Sequence, residues 1–133
     1  MSDCIFCKIA RGEAPSYKVY EDERFLAFLD INPVIKGHTL VIPKEHCRWV
    51  WDVANIGEYM EVCQKVAKAQ IKAFGAERIE SMICGEDVPH AHIWLIPRVK
   101  DDGGGVGFIR LDSRLRLSEK DMKKIVEKIK KKI

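Results

Sequence analysis

Short runs of apolar and aromatic residues, separated by turn residues, recur along most of the chain. Runs of this kind at 17–21, 24–29 and 38–43 predict three strands, joined as a β-hairpin that extends into a meander. Two further runs, at 79–84 and 91–96, predict another pair of strands in the second half of the chain. We therefore expect about five strands, mainly antiparallel.

Apolar residues with a period of three to four mark the predicted helices. The longest such stretch covers about 53–74 and is followed by Gly75, so it predicts one long helix that ends there. A short helix is expected over 4–11 with Asp3 as its cap, and a last helix is expected to begin at Ser118. Strands before and after one long helix predict an α+β fold.

Composition favours an ordinary globular protein. The 133 residues, 47% of them hydrophobic and 32% charged, predict a single domain over 1–133. The chain shows no apolar run of membrane-spanning length and no signal-peptide pattern, so we expect a cytoplasmic protein without a membrane partner. A net charge of +3 is too small to indicate a nucleic-acid partner. The lysines of 120–132 lie above apolar residues at helical spacing, which favours a solvated helix over an RNA-binding tail.

The chain has four histidines, and two of them lie close together in the predicted strand region. Alternate residues of a strand point to the same face, so His90, His92 and Trp94 are expected to share one face. The apolar residues that alternate with them are expected to face the core. A lone histidine is more often structural, but two on one face favour a chemical role.

The segment His90-Ala-His92-Ile-Trp94, which is followed by apolar residues and Pro97-Arg98, resembles the signature of the histidine triad family. In that signature three histidines alternate with other residues, and here Trp94 stands at the third position. The resemblance extends in order to the segments 28–33 and 37–46. It implies the histidine triad fold and, because members of the family bind nucleotides, a purine nucleotide or nucleotide conjugate as partner.

The resemblance also implies chemistry at the α-phosphorus of a purine nucleoside 5′-phosphate derivative. The enzyme would be a nucleoside phosphoramidase or a dinucleoside polyphosphate hydrolase. His92 would form a nucleotidyl-histidine intermediate, with His90, Trp94 and Asp87 completing the catalytic group. A neutral imidazole is a competent nucleophile when a hydrogen bond to its other nitrogen fixes the tautomer. The alternative is a nucleotide-binding module with little or no catalysis, which Trp94 favours.

Other positions match the family's nucleotide pocket. Asp30 matches the carboxylate that accepts the ribose hydroxyls, although a plain turn aspartate would look the same, and His38 matches a histidine that lines the pocket. Asp87 stands where the family often carries serine or threonine, and would either act as a general acid or exclude phosphate-rich substrates. Trp94, which donates but cannot accept a proton, would stack on the substrate or narrow the site. An apolar slot for the base is implied for four residues that could equally be core: Ile5, Phe6, Ile9 and Ile31.

Cys4 and Cys7 have the two-residue gap of a thiolate pair that binds one metal ion. A redox pair or two buried thiols would have the same spacing, but the βαβ setting of a thioredoxin-like motif is absent. Zinc-binding bacterial members of the resembling family complete the site with two histidines, which here are His46 and His90. The resemblance therefore implies a structural Zn²⁺ that fastens the N-terminal segment to the sheet.

Homodimers are usual in the resembling family, in which the long helix and an edge strand join two five-stranded sheets. A homodimer is therefore expected here by resemblance. Trp49 and Trp51 are either exposed apolar groups for such an interface or residues buried under the long helix.

Overall fold

The computed structural model describes residues 4–103 and 113–133. Within them it has an α+β fold with five strands and three α-helices, as predicted. A 3-10 turn at Val50–Asp52 precedes the long helix. In chain order the elements are α1 (Ile5–Ala10), β1 (Lys18–Glu21), β2 (Phe25–Leu29), β3 (Thr39–Pro43), α2 (Ile56–Phe74), β4 (Arg78–Met82), β5 (Ile93–Arg98) and α3 (Glu119–Lys130).

The five strands form one antiparallel sheet in the order β1-β2-β3-β5-β4. The first three strands make the predicted meander. β5 then inserts between β3 and β4, so Trp94 pairs with Leu40 on one side and with Met82 on the other. This insertion places the start of β5, which His92 precedes, next to the end of β3 and the segment that follows it.

Both faces of the sheet are buried, whereas the sequence led us to expect a core only on the face of Ala91, Ile93 and Leu95. That face packs against α2 and α3. The opposite face, which carries Trp94, is covered by α1 and by the connection after β2. The reason lies in β2 and β3, in which every residue is buried, as is typical of strands covered on both sides.

The start of β5 lies two residues later than the predicted run. His90 donates its backbone N–H to Val88 O at 2.8 Å, and Ala91 donates to Cys47 O at 2.6 Å, so neither residue joins the ladder. The backbone before β5 is therefore a turn held by the segment after β3. The predicted sharing of a face still holds, because the Phe6 ring meets both the His90 ring and the His92 ring edge to face.

The helix ends agree with the predicted caps at two of three places. Gly75 adopts a left-handed conformation with φ of 62° and ends α2. The Ser118 hydroxyl accepts a hydrogen bond from Asp121 N at 3.1 Å and begins α3. At α1 the cap is Cys4, whose sulfur accepts from Cys7 N at 3.4 Å. Asp3, the predicted cap, lies outside the described residues.

Two polar side chains of α2 tie that helix to the sheet. The Tyr59 hydroxyl donates to Val41 O at 2.6 Å, and burial raises the pKa of this phenol. The Gln70 amide nitrogen lies 3.1–3.2 Å from three acceptors: Gly37 O, Thr39 Oγ1 and Leu95 O. Gln70 is fully buried, and these contacts satisfy its amide nitrogen, whereas Gln70 Oε1 is buried with no hydrogen-bond partner among the described residues.

The last helix has the amphipathic form expected of a solvated surface helix. Its buried residues are Met122, Ile125 and Ile129, and Lys123 pairs with Glu119 at 2.9 Å on the outside. The helix ends before Ile133, which is exposed. Over 4–103 and 113–133, no helix combines the length and the apolar character needed to cross a membrane.

Candidate active site and metal centre

Two cysteines and two histidines from distant parts of the chain converge at the start of α1. Cys4 Sγ lies 3.3 Å from His90 Nδ1, and Cys7 Sγ lies 3.3 Å from His46 Nδ1. All four potential ligand atoms lie within 4.8 Å of one another. A tetrahedral zinc ion with bonds of about 2.0–2.3 Å would hold its ligands roughly 3.3–3.8 Å apart. The four side chains therefore fit such an ion with small adjustments.

The orientation of the His90 ring supports the same interpretation. His90 Nε2 donates to Pro43 O at 2.7 Å, so the lone pair of the neutral ring is on Nδ1, which faces the sulfurs. Burial lowers the pKa of His90 and keeps the ring neutral. Four protein ligands would leave no open position on the ion.

His92 is almost fully buried and its ring is held on one side by backbone. Its Nδ1 donates to His90 O at 2.7 Å, and because a carbonyl oxygen only accepts, the Nδ1 proton is fixed. The neutral ring then carries its lone pair on Nε2. The Phe6 ring, 5.3 Å away between centroids, packs edge to face on the imidazole. The geometry thus leaves Nε2 as the ring atom that carries the lone pair.

The Asp87 carboxyl group contacts His92 Nε2. Asp87 Oδ1 lies 3.1 Å from His92 Nε2, although the Asp87 side chain is 58% exposed. A hydrogen bond between these two atoms requires one proton, carried either by the imidazolium or by the carboxyl group. The pair can therefore hold a proton at the position from which His92 would attack.

Trp94 and His38 lie together on the same face as His92. Their ring centroids are 4.5 Å apart. His38 Nδ1 accepts from Val34 N at 3.2 Å, so Nε2 carries the proton of the neutral ring. Among the described residues, neither His38 Nε2 nor Trp94 Nε1 has a hydrogen-bond partner, although both atoms are buried. Two N–H donors are thus placed side by side with no acceptor supplied by this part of the chain.

Asp30 lies at the end of β2, next to these donors. Its Oδ2 is 3.9 Å from His38 Nε2, too far for a hydrogen bond, and its Oδ1 accepts from Asn32 N at 2.8 Å. Burial raises the pKa of Asp30. Burial also lowers the pKa of His38 to about 3, and the charges of Arg114 and His92 act in the same direction. His38 is therefore neutral at physiological pH.

The four residues matched to a base slot divide into two pairs. Phe6 and Ile9 are buried in the core cluster below α1, and Phe6 touches the histidines. Ile5 and Ile31 are 46% and 67% exposed. Two of the four residues are therefore part of the core, as the alternative to a base slot predicted, and the other two are exposed at the surface.

Sequence reasoning missed three residues that lie at the site. A cavity of about 440 Å³ is lined by Asp30, Asn32, Asp87, Arg114 and Arg116. The guanidinium carbon of Arg114 lies 5.0 Å from the centre of the Trp94 ring. The alternation Arg-Leu-Arg-Leu over 114–117 is the signal that could have placed both arginines on one side of an extended segment.

The other side of His92 borders an aromatic surface. A cavity of about 240 Å³ there includes His92, Trp49 and Trp51 in its lining. The two tryptophans are 45% and 75% exposed, so the alternative that placed them beneath α2 is wrong. Arg48 stacks on Trp49 at 3.8 Å and donates to Gly85 O at 2.7 Å. Gly85 has φ of 80°, and a Cβ there would approach the Trp49 ring to 3.1 Å, so the loop before Asp87 depends on glycine.

Comparison with known proteins agrees with this geometry. The HIT domain matches residues 11–101. An uncharacterized HIT-like protein of Borreliella burgdorferi is 46% identical over 114 residues, which are 79% of this chain and 82% of that protein. An adenosine 5′-monophosphoramidase of Schizosaccharomyces pombe is 36% identical over 98% of each chain. The crystal structure of a Zn-bound histidine triad family protein from Mycobacterium smegmatis superposes with a TM-score of 0.81, at 30% identity, over 98% of this chain and 92% of that one.

Proposed function

Because the chain belongs to the histidine triad (HIT) domain family, we propose that it hydrolyses or transfers purine nucleoside 5′-phosphate derivatives with His92 as the nucleophile. The observation that carries the proposal is the hydrogen bond from His92 Nδ1 to His90 O, because it leaves the lone pair of the neutral ring on Nε2. A relative named for adenosine 5′-monophosphoramidase activity supports the same class of reaction.

The reaction balances with the groups at the site. His92 Nε2 forms a bond to the α-phosphorus while the bond from phosphorus to the leaving nitrogen or oxygen breaks. The positive charge that develops on the ring is stabilised by the Nδ1–H hydrogen bond to His90 O. A leaving amine requires a proton, which Asp87 in its protonated form is placed to give because its Oδ1 lies 3.1 Å from Nε2. Water then attacks the phosphorus and returns its proton to Asp87, which frees the histidine.

The neighbouring residues are proposed to hold the nucleoside. Asp30, in its ionised form, would accept the two ribose hydroxyls. His38 Nε2–H and Trp94 Nε1–H are unpartnered donors among the described residues, and would meet oxygens of the substrate. The base would rest against Ile5 and Ile31, which are exposed, whereas Phe6 and Ile9 are buried.

We further propose that Cys4, Cys7, His46 and His90 bind a structural Zn²⁺. The support is the convergence of two thiols and two imidazoles, with the His90 ring already oriented by Pro43 O. When bound, the ion would supply stability and not activated water, since four protein ligands complete its coordination. The residues themselves would fasten α1 to the end of β3 and to the turn before β5.

The test of the proposed chemistry is a single-turnover assay with adenosine 5′-phosphoramidate. Wild type is expected to release AMP and to form an acid-labile nucleotidyl-histidine, whereas His92→Ala forms neither. Zinc content and unfolding temperature serve as controls for an intact fold. Turnover by His92→Ala at the wild-type rate would disprove the assignment.

Two observations favour a binding module without catalysis. Asp87 occupies hydrogen-bond distance to the attacking nitrogen, and Trp94 cannot accept a proton at the third triad position. The same assay separates the two functions. Nucleotide binding by wild type with neither adduct nor release would establish the module, and Asp87→Ser would then be the first substitution to test for gain of activity.

A homodimer is the remaining part of the proposal. β4 is an edge strand of the sheet, so among the described residues no strand pairs with the backbone groups on its outer side, and α2 exposes Met60 and Ile71. Pairing of two β4 strands with contact between the long helices would cover these groups. Light scattering after size exclusion measures the mass directly, and a single-chain mass at micromolar concentration would contradict the dimer.

A further inference from the structure

Two arginines of the segment between β5 and α3 face the cavity beside Asp87. Arg114 and Arg116 line this cavity of about 440 Å³, whereas Leu115 between them lines a different one. Alternation of this kind is that of an extended chain, in which neighbours point to opposite sides. The two guanidinium groups are thus carried on the same side of the segment.

The segment is held in place by the connection after β2. Leu115 N donates to Pro33 O at 2.7 Å, and Arg114 Nη1 donates to Asn32 O at 2.8 Å. Arg114 Nη1 also lies 3.7 Å from Asp30 Oδ2. Because these contacts already order the Arg114 side chain, binding an anion there costs less conformational entropy than at a freely moving arginine.

Two carboxylates line the cavity, so binding of an anion there requires positive charge nearby. Asp30 and Asp87 both line it, and a phosphate that enters between two carboxylates is repelled unless positive charge is present. Arg114 and Arg116 supply two positive charges that cannot be lost by deprotonation. The planar guanidinium group also binds oxyanions through paired hydrogen bonds.

Trp94 at the third triad position also favours an anionic leaving group. Trp94 lies under the Arg114 guanidinium and cannot take up and return a proton. An amine leaves only when it is protonated, whereas sulfate and phosphate are weak bases that leave as anions. A negative leaving group would be stabilised directly by Arg114 beside Trp94, whereas a leaving amine would depend on the proton from Asp87.

We propose that Arg114 and Arg116 form an anion subsite that selects nucleotide substrates whose leaving group is a sulfate or phosphate over those that release a neutral amine. The inference rests on the proposed function, since it concerns the leaving group of that reaction. Its binding component is measurable without turnover. This allows the two proposals to fail separately.

The first measurement is calorimetric affinity for AMP and for α,β-methylene-ADP, which adds one anionic group that His92 cannot displace. Wild type is expected to bind the second ligand about tenfold tighter or more, the magnitude of one charge-assisted hydrogen bond. Arg116→Gln should lose most of that gain, and the Arg114→Gln/Arg116→Gln double variant all of it. Arg24→Gln is the matched control. Arg24 is an exposed arginine next to the opposite end of β2 from Asp30, and its loss should keep the gain.

The second measurement compares kcat/KM for adenosine 5′-phosphosulfate and adenosine 5′-phosphoramidate. Arg116→Gln should lower the value for the sulfate about tenfold and leave the value for the amidate nearly unchanged. Equal affinities for the two ligands in wild type, or a gain retained by the double variant, would overturn the subsite. Absence of a His92 adduct with either substrate, together with an affinity gain that Arg116→Gln removes, would overturn the proposed chemistry and support the subsite.

Discussion

His38 should make the protein less stable as the pH falls below about 6.5. The folded protein holds this ring neutral, with a pKa lowered to about 3 by burial, whereas an unfolded histidine titrates near 6.5. Between these two values the unfolded chain binds the additional proton. Unfolding is therefore favoured by acid, and the stability present above pH 6.5 is lost as the pH decreases.

The size of the effect follows from the two pKa values. On going from pH 7 to pH 5, protonation of the unfolded histidine removes about 2 kcal/mol from the free energy of unfolding. The loss is nearly the same for any folded pKa below about 4, because the folded ring then stays neutral throughout that range. An ion pair with Asp30 Oδ2, 3.9 Å away, would instead raise the folded pKa and make acid stabilising. The two interpretations differ in sign.

Urea unfolding of wild type and His38→Asn, followed by tryptophan fluorescence between pH 5 and pH 7, measures this difference. Asparagine keeps an acceptor for Val34 N and cannot titrate. Acid-sensitive groups common to both proteins, including the cluster at Cys4, cancel when the two slopes are compared. Wild type should lose about 2 kcal/mol more than the variant over this range. Parallel curves, or a wild type that gains stability relative to the variant, would refute the reasoning.

Three further predictions concern groups that the structure buries. Tyr59→Phe, which loses a buried hydrogen bond to β3, should cost about 1 kcal/mol in urea unfolding with no change in the m-value. Gln70→Leu removes the buried donor that serves Thr39 Oγ1 and Leu95 O, while Gly37 O keeps the Thr39 hydroxyl, and should cost about 2 kcal/mol. Gln64→Leu on the exposed face of the same helix should change stability by less than about 0.5 kcal/mol. Cys7→Ser should abolish the thermal stabilisation that Zn²⁺ gives, which is about 4 kcal/mol at a free concentration near 1,000 times the dissociation constant. The control variant Cys84→Ser changes an exposed cysteine and should keep this stabilisation. Equal responses of the two variants to a chelator would exclude the metal centre.

Local patterns were sufficient for the elements and for the sharing of a face near His92. The segments that form β2 and β3 are apolar at almost every position. This continuous pattern predicts strands, and it also indicates that both faces of the sheet are covered. The period of α2 and the caps at Gly75 and Ser118 depend on residues within one turn of each other, so the sequence reveals them directly.

Contacts between distant segments could not be derived in the same way. β5 lies between β3 and β4 because of pairings that join residues about 55 positions apart, such as Leu40 with Trp94, and no local period encodes this. The approach of Arg114 to Trp94 depends on a backbone hydrogen bond from Leu115 to the connection after β2. The Asp87 contact with His92 likewise depends on how the Gly85 turn packs against Trp49.

One residue connects the structural and the chemical parts of the site. The His90 ring belongs to the cluster with Cys4, and the His90 carbonyl fixes the tautomer of His92. A shift of the His90 backbone that accompanies binding at its ring would therefore move the acceptor that fixes the His92 tautomer. A cluster that supplies no atom to the reaction would in this way still determine whether the nucleophile is correctly oriented. This coupling gives a physical reason for cysteines of α1 and a histidine next to the nucleophile to be joined in one centre.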